Sequence, residues 1–172
     1  YASVKNTVDV NVVSAALSTA SYPYNGQDPK PVPTVSGMDL VTSTAEDGYM
    51  LTYATDTKNA GDKTVTVNGY GKYNGYKKVL TYNIEAIAIT QAAGDASTIR
   101  VNSSGTVTAV SGLTINSNTL VLNQDFTATA VIDSANSTAD YGMYTITVKG
   151  TGNYSGTITR TSVKSVYGKD NL

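Results

Sequence analysis

The sequence predicts an all-β protein made of two β-sandwiches. Apolar and polar residues alternate with a period of two in several segments, which places every second side chain on one face of a strand. These segments are short, and Gly, Asn, Asp or Pro interrupts them about every 8–12 residues, a spacing typical of a sandwich or barrel. A third observation is internal duplication, because TVTVNGYGKYNG (64–75) recurs as TITVKGTGNYSG (145–156).

The alternation identifies the first predicted strands. TVDVNVV places Val8, Val10 and Val12 on one face, and TVTV (64–67) and TITV (145–148) repeat the same pattern. Because β-branched residues dominate these runs, strands are favoured over helices.

Four further segments are predicted to be strands on composition. YKKVLTYNI (76–84) follows the first repeat, and TLVLNQDFTATAVI (119–132) is either a strand pair or one long bent strand. VSAALSTA (13–20) and IEAIAITQAA (84–93) are the only helix-friendly stretches. They are rich in Ser, Thr or Ile and lack capping residues, so strands are predicted there too.

The duplication sets the predicted domain boundaries. The two copies of the glycine-rich motif are 81 residues apart, while VSGMDL (35–40) matches VSGLTI (110–115) at an offset of 75. Longer loops in the second copy account for the growing offset. We expect one sandwich over residues 1–85, a second over 86–167, and a polar tail over 168–172, with consecutive strands at the junction.

Composition excludes several classes of function. The chain has no His and no Cys, so the commonest general base and the thiolate nucleophile are both missing. The formal net charge is -1, and Lys77-Lys78 is the only adjacent basic pair. We therefore expect no enzyme activity, no cofactor and no nucleic-acid partner. No apolar run is long enough for membrane insertion.

The first unit contains motifs that identify a family resemblance. YNG (24–26) and Pro29 are followed by DGYMLTY (47–53), NAG (59–61) and TVTVNGYGKYNG. This order resembles the immunoglobulin-like repeats of large bacterial cell-surface proteins. The resemblance implies two tandem immunoglobulin-like antiparallel β-sandwiches that act as stalk or spacer and carry no catalytic residues. The second unit keeps TITVKGTGNYSG but loses YNG, the prolines and NAG.

The repeated motif is predicted to be a turn scaffold. Closely spaced glycines permit positive φ and a tight bend between antiparallel strands, and the tyrosine is expected to fold over the sandwich end and donate its hydroxyl to the backbone. A phosphate-binding loop is the alternative, but it requires a helix behind the glycines. The scaffold positions are Gly69, Gly71, Tyr73, Gly75, Gly150, Gly152, Tyr154 and Gly156.

Two tyrosines are candidates for ligand contact. Tyr70 and Tyr76 flank the first turn. Aromatic rings exposed in a loop can bind sugars or peptides, so glycans or a host surface are the expected ligands of these two tyrosines. The alternative is that they are core and rim aromatics, and the absence of Trp favours that alternative. Thr151 replaces Tyr70 in the second copy, so such a site is not duplicated.

Two other kinds of site have weaker signals. Glu46 and Asp47 are candidates for a loop cation site, with solvated loop acids as the alternative. Lys5 or Lys164 with Asn83 are candidates for a Lys–Asn isopeptide cross-link, against simple exposure of the lysines.

The N-terminal alternation suggests a mode of assembly. A segment carrying Val8, Val10 and Val12 is a candidate for strand exchange with a neighbouring subunit. The favoured alternative is that it forms the first strand of the first unit, because Ile87 to Ile89 supply its equivalent in the second.

These patterns predict a non-enzymatic structural or adhesive module of an extracellular bacterial surface assembly, such as a stalk, spacer or filament subunit. Expected partners are other copies of the chain or neighbouring surface domains. A structural or decoration protein of a phage virion is the first alternative, with virion domains as partners, and a carbohydrate-binding module is the second.

Overall fold

The computed structural model describes residues 13–94, 96 and 98–168. Within these ranges the protein is all-β, as the alternation predicts, and its only helical segments are short 3-10 turns. No helix of the described residues is long and apolar enough to cross a membrane. The strands are β1 (Ser14–Ala16), β2 (Ser21–Pro23), β3 (Thr34–Ser36), β4 (Gly48–Tyr53), β5 (Gly61–Tyr70), β6 (Lys77–Glu85), β7 (Ile87–Ala88), β8 (Thr98–Val101), β9 (Val107–Ser111), β10 (Thr114–Ile115), β11 (Asn118–Thr119), β12 (Phe126–Ile132), β13 (Tyr141–Gly150), β14 (Tyr154–Ser155) and β15 (Thr157–Val166).

The described residues form two compact units. The first contains residues 13–22 and 26–84, and the second contains residues 23–25 together with the described residues from 85 to 168. The candidate strand-exchange residues Val8, Val10 and Val12 lie outside the described residues, as does most of the 168–172 tail.

The first unit has a four-stranded sheet and a two-stranded sheet. The large sheet has the order β2-β6-β5-β4, and β1 pairs with β3 in the small one. Val65 and Val67 of β5 are fully buried, which confirms the predicted alternation. Ala15 and Val35 of the small sheet pack against the cluster that contains Val67. Burial between two sheets is consistent with a β-sandwich.

The second unit has a three-stranded sheet with the order β12-β13-β15. β8–β9 and β10–β11 are antiparallel pairs, and β7 pairs in parallel with β14. Ile146 and Val148 of β13 are fully buried, again as the alternation predicts. They belong to the main core cluster, which also includes Ile89, Ile99, Val101, Leu113, Phe126 and Tyr144.

Strand registers in the two units correspond. Tyr49 pairs with Gly69 in the first unit, and Phe126 pairs with Gly150 at the equivalent place in the second. The two VSG motifs also agree, because Gly37 and Gly112 have φ of 87° and 88° and each precedes a buried apolar residue. At these two motifs the sequence repeat coincides with the same strand register and the same glycine φ.

One register difference is compensated within a strand. Val67 pairs with Lys78 in the first unit, and the equivalent Val148 pairs with Ile158 in the second. Val67 and Val148 are 81 residues apart, but their partners are only 80 residues apart. An irregularity in β15, where Ser162 has a φ of 55°, restores the offset further along the strand. A β-bulge that adds one residue to one strand explains this recovery.

Two of the segments predicted on composition are only partly strands. VSAALSTA (13–20) contributes the short β1, and IEAIAITQAA (84–93) contributes the end of β6 and all of β7. The strand prediction is wrong for Ile89–Gln91, which form a 3-10 turn. The reason is tertiary, because β7 pairs with the two-residue β14 and the chain then turns to bury Ile89 fully.

Candidate functional site

The first corner (residues 69–76) is a tight bend between β5 and β6. The Gly69 N–H donates to the Tyr76 carbonyl at 2.8 Å, and Gly71–Tyr73 form a 3-10 turn between them. Gly71 has a φ of 64° and Gly75 a φ of 96°, which glycine adopts most readily. A Cβ on Gly69 would overlap the Tyr73 carbonyl oxygen. A strand follows this turn, so the helix needed by a phosphate loop is missing.

The second corner (residues 150–156) makes a similar bend that is one residue shorter. The Gly150 N–H donates to the Gly156 carbonyl at 2.9 Å. Gly152 and Gly156 have φ of 63° and 77°. A Cβ on Gly150 would lie 2.7 Å from the Ser155 nitrogen, so glycine is required there for space. Gly69 and Gly71 therefore correspond to Gly150 and Gly152, whereas the carbonyl that closes the bend belongs to Tyr76 in the first corner and to Gly156 in the second.

Each corner is fastened to the residue that precedes the neighbouring strand. The Lys72 N–H donates to the Asp47 Oδ1 at 2.7 Å, and Asp47 directly precedes β4. In the second unit the Thr151 N–H donates to the Asp125 carbonyl at 2.9 Å, and Asp125 directly precedes β12. Asp47 was a candidate cation ligand, and in the structure its carboxylate binds the corner. Among the described residues no group of three or more acidic side chains is placed to hold a metal ion.

The corner tyrosines pack into the cores. Tyr154 is 7% exposed and belongs to the core of the second unit, while Tyr73 packs against the core of the first. Tyr24 meets Tyr154 edge to face, with ring centroids 6.0 Å apart. Within the described residues neither hydroxyl donates to a backbone carbonyl, so that part of the tyrosine-corner expectation is wrong. The rings contribute through apolar burial, without that hydrogen bond.

The two candidate ligand tyrosines lie in different surroundings. Tyr76 packs partly against the core cluster of the first unit, as a rim aromatic does. Tyr70 is half-buried at the end of β5. Lys72, the middle residue of the 3-10 turn, is exposed, and its Nζ lies 5.2 Å from the centroid of the Tyr73 ring. Whether Tyr70 or Tyr76 binds a ligand stays a prediction.

The candidate cross-link residues have other contacts. Lys164 places its Nζ 4.2 Å from the centroid of the Tyr141 ring, and the Asn83 side-chain amide donates to Asp62 at 2.8 Å. Lys5 lies outside the described residues.

A polar cluster at one end of the first unit was missed by the sequence prediction. The Lys63 side chain is only 9% exposed, and its Nζ lies 3.4 Å from Asp56 Oδ2. Lys63 pairs across the sheet with Tyr82, which is 1% exposed and whose hydroxyl has no hydrogen-bond partner among the described residues. The signal was available, because Lys63 shares the phase of Val65 and Val67 and must point to the same face.

The second unit fills the equivalent position with an aromatic pair. Tyr144 occupies the place of Lys63, is 2% exposed, and hydrogen-bonds through its hydroxyl to the Tyr167 hydroxyl. Burial, together with this hydrogen bond, raises the pKa of Tyr144 to about 12. Burial also raises the pKa of Tyr82 and of Tyr154. These phenols therefore stay protonated and neutral at physiological pH.

Asp56 is shifted in the opposite direction. Hydrogen bonds from the Asn59 and Lys58 backbone N–H groups hold the pKa of Asp56 at about 2, and Lys63 contributes less. A carboxylate this acidic is a weak base, and the raised phenols are weak acids, so these groups are tuned away from acid–base chemistry near pH 7.

Comparisons with models of known protein families, with curated proteins and with solved structures gave no match.

Proposed function

We propose that this protein is a non-enzymatic structural or adhesive module of an extracellular bacterial surface assembly, serving as a stalk, spacer or filament subunit. The observation that carries the proposal is the duplicated corner. Both units have the glycines, a tyrosine packed against the core, and the same register between β4 and β5 as between β12 and β13, which are features that shape a backbone.

Two observations favour a structural role over a catalytic one. The candidate positions for ligand contact differ between the two corners, as where Thr151 replaces Tyr70. A ligand-binding site was therefore not duplicated together with the turn scaffold. The groups with shifted pKa values are a carboxylate made more acidic and phenols made less acidic. Catalytic groups are usually shifted toward the working pH.

Immunogold electron microscopy of the producing cells tests the proposal. Antibodies raised against the purified chain should label fibres, stalks or the outer layer of intact cells, and preadsorption with the chain should remove the label. Label confined to the cytoplasm would contradict the proposal. Label on virions in a lysate would replace the bacterial surface with a phage particle as the site of action.

A further inference from the structure

Among the described residues, the large sheet of the second unit ends at β12 on one side and at β15 on the other. Its order is β12-β13-β15, whereas the equivalent sheet of the first unit has a fourth strand, β2, beside β6. β6 and β15 occupy equivalent places, because Tyr82 pairs with Lys63 as Val163 pairs with Tyr144. The edge of β15 is thus the place where the first unit accepts another strand.

β2, the edge strand for which the second unit has no counterpart among its described residues, runs parallel to its neighbour β6. The Asn83 N–H donates to the Ala20 carbonyl, and the Tyr24 N–H donates to the Glu85 carbonyl, both at 2.8 Å. Residue numbers rise together along the two segments, which is the order expected for parallel strands. A strand that fills the equivalent place beside β15 is therefore expected to be parallel to β15.

The backbone of β15 is prepared for such a strand. The Tyr167 N–H donates to the Asp140 carbonyl, so the backbone groups of Tyr167 face β13. Along an antiparallel strand, successive residues direct their N–H and C=O groups alternately toward and away from the partner strand. The N–H and C=O groups of Lys164 and Val166 therefore face away from β13. Among the described residues neither of these two residues has a backbone partner on that side. Beside them lies a groove of about 340 Å³, lined by Ala96, Ile99, Arg100, Arg160 and Val163 among others.

The opposite edge of the same sheet carries an uncharged apolar strand. β12 reads FTATAVI, and its last two residues, Val131 and Ile132, are 69% and 49% exposed. The Asp133 N–H donates to the Met143 carbonyl, so by the same alternation Ala130 and Ile132 present their peptide groups to the free edge. An uncharged edge strand of this kind is a template for pairing with another chain.

We infer that the second unit polymerises edge to edge, with β12 of one copy docking in parallel beside β15 of a second copy, and this inference rests on the proposed role as a filament subunit. β12 and β15 are both antiparallel to β13, so they are parallel to each other. A second copy in the same orientation therefore continues the sheet and offers the parallel strand that the β15 edge accepts. The two surfaces differ, so the contact is heterologous and produces an open filament.

The register of the sheet fixes which side chains meet. Ile132 and Val163 both lie opposite Tyr144, on its core-facing side. When the sheet continues into a second copy, Ile132 comes beside Val163 of the other copy, next to the groove lined by Ala96 and Ile99. The exposed Ile132 of one edge thus meets Val163 at the margin of a groove that also contains Arg100, Arg160, Thr161 and Lys164.

Charge complementarity favours this pairing over the symmetric one. Asp133 and Lys164 flank Met143 on the outer face, so Asp133 of one copy comes beside Lys164 of the next. Two β15 edges placed together would instead bring Arg160 and Lys164 of both copies into one seam, where like charges repel. A second copy presenting β12 is therefore the preferred occupant of the β15 edge.

Sedimentation velocity of the purified chain over a range of concentrations tests the inference. The wild type should show concentration-dependent association, and Lys164→Glu and Asp133→Lys should each weaken it about tenfold because like charges then face each other. An equimolar mixture of the two variants should recover association, because each junction between different variants joins opposite charges. Lys149→Glu, on the central strand, is the matched control and should leave association unchanged.

A second pair of variants distinguishes specific contact at the β15 edge from nonspecific hydrophobic association. Ile132→Thr should weaken association about tenfold because it removes the apolar side chain that lies beside Val163 of the second copy. Val131→Thr should have a smaller effect although Val131 is more exposed, because it lies on the other face of β12. Circular dichroism and unfolding curves should show that all variants remain folded.

Three results would overturn the inference. The first is a wild-type chain that stays monomeric at every concentration, and the second is charge-reversal variants that associate like the wild type. The third is loss of association when residues 1–12 are removed while the edge variants still associate, which would point to exchange of the N-terminal segment. None of these results affects the immunogold test, because a stalk or spacer requires no edge pairing.

Discussion

In the first unit the chain leaves β1 at Ala16 and reaches β3 only at Thr34, and the intervening residues 17–33 contribute β2 to the large sheet. In the second unit residues 102–106 join β8 directly to β9. The Asn102 Oδ1 accepts hydrogen bonds from the Ser104 and Thr106 N–H groups and so closes this short turn. The two units therefore differ by one strand at the sheet edge.

The corners, by contrast, have glycines with matching backbone angles in both units, although the first bend is one residue longer. Gly71 and Gly152 differ by one degree in φ, and the first residue of each corner donates its N–H to the carbonyl on the far side of the bend. A corner needs particular backbone angles and space that few residues supply, whereas a sheet edge is a place where a strand is added or omitted without disturbing the core. The YNG and proline motifs, which the second unit lacks, lie in residues 17–33, the segment of the first copy that supplies the extra strand β2.

The largest expected effect comes from steric crowding at a corner glycine, which can be compared with the cost of an unfavourable φ at another glycine of the same corner. Gly150→Ala should lower the free energy of unfolding of the second unit by about 3 kcal/mol, because a Cβ would press on the Ser155 backbone. Gly156→Ala should cost about 1 kcal/mol, since its Cβ meets no atom within 4 Å and only the φ of 77° is unfavourable. Urea unfolding followed by circular dichroism measures both.

The first corner supplies the matched control. Gly69→Ala and Gly75→Ala should show the same order of effects in the first unit, because Gly69 is crowded by Tyr73 and Gly75 has open space. Equal costs for the crowded and the open glycine would show that close approach does not determine the corner.

A smaller loss is expected from a buried hydroxyl that only the second unit has. Ser165 is fully buried, donates to the Val101 carbonyl at 2.7 Å and accepts from the Val101 N–H at 2.9 Å. Ser165→Ala leaves both Val101 groups without this partner and should cost about 2 kcal/mol. The equivalent residue of the first unit, Ile84, has no hydroxyl. Ser111→Ala, at an exposed site on β9, should change stability by less than about 0.5 kcal/mol in the same unfolding assay.

The sequence was sufficient to predict the all-β class, the buried faces of β5 and β13, and the glycine-shaped corners. These features depend on local alternation and on backbone angles, which a sequence displays directly. It was not sufficient for Lys63 or Ser165, because their roles depend on Asp56 and Val101, which reach them only through the fold. The 3-10 turn at Ile89–Gln91 was missed for the same reason.

The aromatic pair of the second unit predicts a loss of stability in alkali. The pKa of Tyr144 is about 12 in the folded protein against 10.0 as a free side chain, so above pH 10 the unfolded chain releases a proton that the folded chain retains. Stability from this group is complete below pH 10 and falls as the pH rises toward 12. Tyr144→Phe should reduce the slope of unfolding free energy against pH over this window. Tyr141→Phe, on the opposite face of β13, is the control, and an equal reduction by both variants would contradict the prediction.

The polar cluster of the first unit predicts the smallest effect, in acid. Asp56 has a pKa of about 2 in the folded protein, below the 3.8 of a free side chain, so its contribution to stability is present above pH 3.8 and is lost as the pH falls toward 2. Asp56→Asn should flatten the stability of the first unit against pH in this window, measured by urea unfolding between pH 2 and 5. Lys63→Met should preserve most of the acid dependence, because the Asn59 and Lys58 N–H groups lower the pKa more than Lys63 does. If Lys63→Met removed the acid dependence as fully as Asp56→Asn, the ion pair with Lys63 would be the main cause of the lowered pKa of Asp56, and the backbone N–H groups of Lys58 and Asn59 would not be.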